Sequence, residues 1–156
     1  MNDLDVNDIL FQQSVPMLLH AGLDAVMPAY RQLFTKHGLT EQQWRVLRVL
    51  WNTESLSSIE ISRHTLIQPN SLVGVLERLE KRGFVARMRS VEDRRIIFAK
   101  LTPAGRDLGR TIAPALRTIH EDIQSRLTAS EWEQLGQLVT KATTRQVDLD
   151  EERDHG

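Results

Sequence analysis

The sequence predicts a mainly α fold of the α+β type, a winged helix-turn-helix lobe carried on a helical dimerisation domain. Three observations predict it. Capping boxes and prolines mark a run of short helices between residues 40 and 82. Two β-prone runs follow, on either side of a charged segment, as in a hairpin. Long stretches with apolar residues every three or four positions flank both.

Ser14 followed by Pro16 is an N-cap with proline in the first turn, so a long helix starts near Val15 and residues 1–13 form an arm. Its apolar positions, from Met17, Leu18 and Leu19 through Leu23, Val26, Met27 and Tyr30 to Leu33 and Phe34, are broader than one stripe and suit burial on more than one side. Pro28 is expected to kink this helix and His37-Gly38 to end it. Thr40-Glu41-Gln42-Gln43 is a capping box that opens a second helix bearing Trp44, Val46, Leu47, Val49, Leu50 and Trp51. Ser57-Ser58-Ile59-Glu60 opens a short third helix toward His64. Pro69 fits the first turn of a fourth, with Leu72, Val73, Val75, Leu76 and Leu79 as its apolar face and Gly83 as its stop.

Phe84 to Arg89 and Ile96 to Leu101 are the β-prone runs, joined by the charged tip Ser90-Val91-Glu92-Asp93-Arg94-Arg95. Thr102-Pro103 restarts helix, with Leu108, Ile112, Leu116, Ile119, Ile123 and Leu127 in step and Pro114 as an expected kink. A third capping box, Thr128-Ala129-Ser130-Glu131, opens a last helix carrying Trp132, Leu135, Leu138, Val139 and Ala142. The chain thus divides into an arm (1–13), a dimerisation helix (14–38), the winged lobe (39–101), further dimerisation helices (102–146) and an acidic tail (147–156). The outer helices hold more apolar surface than one small domain can cover, so a two-fold homodimer is expected.

Charge locates the function within this frame. Net charge over the 156 residues is −1, yet between Glu60 and Lys100 nine basic residues face five acidic ones, a local excess of +4. A basic middle between acidic ends is the electrostatic footprint of a module that binds a polyanion. With no cysteine, disulfides, thiolate metal sites, a catalytic thiol and thiol-based peroxide sensing are excluded. No run approaches the ~20 apolar residues of a membrane span, and Met1-Asn2-Asp3-Leu4-Asp5 is acidic where a secretory signal is basic. A cytoplasmic protein with no membrane partner is expected.

In a helix-turn-helix the second helix enters the major groove of double-stranded DNA with its N-terminal residues toward the bases. Those residues here are Gln68, Pro69, Asn70, Ser71, Gly74 and Arg78. Gln and Asn pair bidentately with adenine, Ser donates to base or phosphate, Gly74 permits close backbone approach, and Arg78 lies two turns below Ser71. The bland alternative is a solvated polar helix face. Arg94 and Arg95 at the hairpin tip, flanked by Arg87 and Arg89, suit a minor groove, whose negative potential favours guanidinium groups. Asp93 is spaced to hold Arg95 in place.

Catalysis finds no support: the chain has no phosphate loop, no His-Glu-x-x-His and no nucleophile elbow. His20, His64 and His120 stand singly, as surface or capping histidines do, so neither a metal nor another cofactor is expected. Gln43-Trp44-Arg45 sets an indole beside an amide and a cation, a combination able to hold an aromatic carboxylate, or simply a core tryptophan with a solvated neighbour. Trp51 reads as core.

Leu39-Thr40-Glu41-Gln42-Gln43-Trp44-Arg45, Gly83-Phe84-Val85, Asp93-Arg94-Arg95 and Leu101-Thr102-Pro103-Ala104-Gly105 resemble the MarR family of bacterial transcription regulators over roughly residues 14–145. The Asp-x-Arg of the tip followed by Leu-Thr-x-x-Gly is the most specific element. Within the family, the first motif and Ser71-Leu72-x-Gly74-x-Leu76-x-Arg78 are most similar to regulators of homoprotocatechuate (aromatic acid) degradation operons. The resemblance implies a homodimer that reads a near-palindromic operator with half-sites about one helical turn, ~34 Å, apart. It implies that Arg95 enters the minor groove braced by Asp93, and that Ser71 and Arg78 touch the operator. It also implies a pocket for a small aromatic carboxylate at Ser14, Met17, His20, Gln43, Trp44 and Arg45, whose filling releases the repressor. The relatives carry their proline one position after Pro69, so base preference does not transfer. Alternatives are a regulator of stress or drug-response genes with a broad pocket, a winged helix used for protein contacts, and a small enzyme using the Trp44 pocket.

Overall fold

The computed structural model describes residues 14–143, so the expected arm and acidic tail lie outside the described residues. Helix α1 spans Val15–Lys36, α2 Glu41–Leu50, α3 Ser58–Thr65 and α4 Pro69–Lys81. A two-residue strand β1, Leu56–Ser57, precedes α3; β2, Val85–Arg89, and β3, Ile97–Leu101, form the hairpin; α5 spans Pro103–Gln124 and α6 Ala129–Thr143. The chain divides into one compact unit ending at Ile119 and another beginning at His120.

Local chemistry sets these boundaries. The Thr40 hydroxyl accepts from the Gln43 N–H while Gln43 Oε1 accepts from the Thr40 N–H, 3.2 and 3.0 Å, closing the capping box of α2. Ser57 and Glu60 do the same for α3, and Thr128 and Glu131 for α6. Pro69 starts α4, whereas Pro28 and Pro114 lie inside α1 and α5 and end neither. The missed element is β1, too short to show a period-2 pattern. It joins the edge of the hairpin in the order β1-β3-β2, all antiparallel, with Leu56 opposite Ala99 and Ser57 opposite Phe98.

The core of the first unit gathers the inward faces of α2, α3 and α4 with one face of the sheet: Val46, Leu47, Leu50, Ile61, Leu72, Val75, Leu79, Val85 and Ala99 are buried. Leu33 and Phe34 of α1 and Ile112 of α5 complete it. An aromatic run, Tyr30–Phe34–Trp44–Trp51, leads from α1 across α2 with successive ring centroids 6.3, 5.3 and 5.8 Å apart. Trp51 ends against α5, where Gly109 leaves room for its ring; a Cβ there would overlap the indole. Gly105, one turn earlier, is packed so closely on the Phe84 carbonyl that a Cβ would collide with it.

Candidate nucleic-acid interface

Helices α3 and α4 are joined by Leu66-Ile67-Gln68, a turn that requires left-handed backbone at Leu66, φ 55°. The turn is fastened by the Ser62 hydroxyl, which donates to the Ile67 carbonyl at 2.7 Å, and by Thr65, whose hydroxyl donates to the Ile61 carbonyl at 2.6 Å. Helix α4 turns Leu72, Val75, Leu76 and Leu79 inward. That orientation leaves Gln68, Pro69, Asn70, Ser71 and Arg78 exposed, with Gly74 half-buried among them. Asn70, Gly74 and Arg78 succeed one another at intervals of four, so they form one stripe. Arg78 folds back along it: a Cβ on Gly74 would lie 3.5 Å from Arg78 Nη1.

The tip of the hairpin is a shaped turn. The Ser90 hydroxyl accepts from the Glu92 and Asp93 N–H groups, both at 3.2 Å, and the Ile96 N–H donates to the Asp93 carbonyl at 2.9 Å. Asp93 Oδ1 then accepts twice from Arg95, from its backbone N–H at 2.9 Å and from Nε at 3.2 Å. The Arg95 side chain remains 92% exposed, so the carboxylate orients the guanidinium without covering it. Arg89 and Arg94 are exposed and form no ion pair among the described residues.

Arg87 departs from its expected place beside the tip. Side chains alternate along a strand, so Arg87 shares the face of β2 with buried Val85 and is turned toward α4. There it meets Glu80, with Nη2 at 2.6 Å, Nε at 2.8 Å and its own backbone N–H at 3.3 Å from the carboxylate. Glu77 stands 4.0 Å away. Arg87 therefore ties the wing to α4 and is not a free cation. Glu80, which sequence reasoning passed over, is held below the ordinary carboxylate value of 4.5, chiefly by the side-chain hydrogen bond from Arg87. Because folding depresses this pKa, the stability the contact contributes is present above 4.5 and is lost as pH falls through the lower folded value. In denaturant titrations the wild type is expected to exceed Glu80→Gln in stability at pH 7, with the gap closing below pH 4; a gap unchanged at pH 3 would assign it to packing alone.

The expected ligand residues divide. Gln43 and Trp44 are 4% and 8% exposed. The Gln43 amide oxygen is spent on the α2 cap, and Trp44 stacks on Phe34 and meets Trp51 edge-on, so neither offers a free face. Arg45 and Ser14 are half-buried, and Met17 and His20 are exposed on α1. Concavities of ligand size lie elsewhere among the described residues. A cleft of 410 Å³ in the winged lobe is lined by Ile59, Arg63, Leu72, Val73, Arg87 and Ile97, among others. A more open groove of 830 Å³ runs between α1 and α5, past Gln32, Leu33, Lys36, Thr118 and Ile119. Among the described residues no cluster of three His, Asp or Glu side chains is placed to hold a metal, and no helix is long and apolar enough to cross a membrane.

A turn-linked helix pair backed by a three-stranded wing with an exposed arginine tip defines a winged helix-turn-helix DNA-binding protein. The model of the MarR family matches residues 39–97. The chain is similar to the homoprotocatechuate degradative operon repressor of Escherichia coli, 29% identical over 140 residues that cover 87% of this chain and 95% of that protein. It is 33% identical over 108 residues, 69% of each chain, to the HTH-type transcriptional regulator FarR of Neisseria gonorrhoeae. Among solved structures, NadR in complex with 4-hydroxyphenylacetate aligns with TM-score 0.75 and 29% identity, over 85% of this chain and 94% of that one. The chain belongs to the MarR family, whose members are DNA-binding transcriptional regulators.

Proposed function

We propose that the protein is a homodimeric repressor that holds a near-palindromic operator and is released from it by a small aromatic carboxylate, in control of an aromatic-compound catabolic operon. The observation that carries the DNA half of this reading is the Asp93–Arg95 geometry: an exposed guanidinium aimed by a carboxylate that accepts once from its Nε and once from the Arg95 backbone N–H. Asn70, Ser71, Gly74 and Arg78 read the major groove, and Arg89, Arg94 and Arg95 take the phosphates and the minor groove. The dimer is supported by exposed apolar side chains, Val15, Met17, Leu18, Leu19 and Leu23 on α1, and Leu135 and Leu138 on α6. Support for the effector class comes from the relatives, one named for homoprotocatechuate degradation and one solved with 4-hydroxyphenylacetate.

The effector binds where the dimer helices meet the winged lobe, with Arg45 as counter-charge, Ser14, Met17 and His20 as contacts from α1, and Gln43 and Trp44 as a packed wall behind them. A ligand shifts DNA affinity only by its differential affinity for two geometries of the dimer, so a site touching both parts is the physical requirement. The test adds a panel of phenolic and heteroaromatic acids to the protein–DNA complex and follows fluorescence anisotropy. One acid is expected to displace the DNA from the wild type and to fail against Arg45→Ala, whose DNA affinity is unchanged. Trp44→Ala is not a clean probe, because truncating a buried Trp costs about 3–5 kcal/mol in stability by itself. Release of Arg45→Ala by the same acid at the same concentration would remove Arg45 from the site.

A further inference from the structure

Arg82 is the last turn of α4 made into a grip on α1. Its backbone caps α4, with its N–H donating to the Arg78 carbonyl at 3.2 Å. Its side chain reaches back more than forty positions in sequence, to the end of α1, where Nη1 donates to the Gly38 carbonyl at 2.6 Å and Nη2 to the His37 carbonyl at 3.3 Å. The turn receiving it is tightly built. Gly38 sits at φ +65°, and the Gly38 and Leu39 N–H groups donate back to the Thr35 and Phe34 carbonyls at 2.9 and 2.8 Å. Those bonds satisfy carbonyls inside the helix end and leave those of His37 and Gly38 to the guanidinium. The negative pole of the α1 dipole favours a cation at this place. The Phe84 ring, 4.8 Å from Arg82 Cζ, holds the guanidinium from the other side.

We infer that Arg82 is a positioning residue that fixes the groove-reading helix α4 against the dimer helix α1, and thereby sets the half-site spacing the dimer accepts. The inference rests on the dimeric DNA-binding reading above. In a two-fold dimer the separation of the recognition helices is set by whatever joins each of them to the helices that pair. A guanidinium with two carbonyl acceptors and an aromatic backstop resists rotation of α4 where a single contact would not. Arg82 lies outside the set of side chains assigned to the DNA.

The test begins with the duplex that the wild-type protein selects from a random-sequence pool, and compares it with duplexes in which the two half-sites are moved together or apart by one base pair. Arg82→Gln is expected to bind the selected duplex about tenfold more weakly, within the usual range of coupling between sites. On the respaced duplexes it is expected to equal or exceed the wild type, so that spacing selectivity collapses. The dependence of affinity on salt is expected to stay at the wild-type slope, because no phosphate contact is lost. Arg82→Lys, which keeps the charge and loses the fork, is expected to fall between the two, and the thermal midpoint of each variant reports its folding. A slope reduced by about one, with equal loss at all spacings, would make Arg82 a phosphate contact and overturn the inference. Unchanged selectivity in both variants would overturn it as well. A wild type that selects no two-half-site duplex would overturn the dimeric reading and this inference with it.

Discussion

Gly109→Ala is expected to destabilise the protein by about 3 kcal/mol, at the upper end for overpacking a tight contact. The sign makes this informative. In an unobstructed helix interior, alanine in place of glycine stabilises by up to about 1 kcal/mol. Gly109 lies in α5, however, and the ring of Trp51 occupies the place its Cβ would take. Something must move, and what moves is the end of an aromatic run that reaches back through Trp44 to Phe34 of α1. Trp51→Ala removes the obstacle, so the double variant is expected to be more stable than the sum of the two single losses predicts, by at least about 1 kcal/mol. Equilibrium denaturation of the four proteins measures this coupling. A Gly109→Ala variant more stable than the wild type would show that α5 does not rest on Trp51.

Arg95→Ala is expected to weaken DNA binding by about 2 kcal/mol, roughly thirtyfold in Kd, while leaving the fold intact. The side chain is 92% exposed and among the described residues bonds only to Asp93, so the folded state loses little with it. Asp93→Asn separates aim from charge. It adds a unit of positive charge to the tip, which by Coulomb attraction alone should strengthen binding, yet it removes the carboxylate that orients Arg95. Binding that nevertheless weakens would show that the brace matters more than the charge. Binding that strengthens at every salt concentration would reduce Asp93 to a turn residue, and an Arg95→Ala protein with wild-type affinity and salt slope would take the wing out of the interface.

The fold was legible where its causes are local. Each capping box brings its donors and acceptors within three residues of one another, and Pro69 and Gly83 bound α4 through their own backbone preferences. Asp93 and Arg95, two apart, could be paired from spacing alone. What the sequence hid are contacts closed by the tertiary fold. Arg87 looks like another wing cation until β2 and α4 pack together and Glu80 takes it up. Arg82 looks like an ordinary basic helix end, because its acceptors on His37 and Gly38 are far away in the chain and are backbone atoms that no side-chain pattern reveals. Trp44 presents one pattern for a stacked ligand and for a stacked Phe34, and only packing decides between them. The spacing of Gly105 and Gly109 was the signal available for the close approach of α5, since glycines inside a helical pattern mark such approaches.

The proposed function requires that the exposed arginines of the wing and the polar stripe of α4 bind a particular duplex. The most direct measurement is the fluorescence anisotropy of the purified protein on labelled DNA from upstream of its own coding region, against a scrambled duplex of the same length, at several salt concentrations. Binding to the upstream duplex is expected to be saturable, at least about a thousandfold tighter than to the scrambled one, and to weaken linearly with salt on logarithmic axes. Equal affinity for the two duplexes, or affinity indifferent to salt, would contradict it.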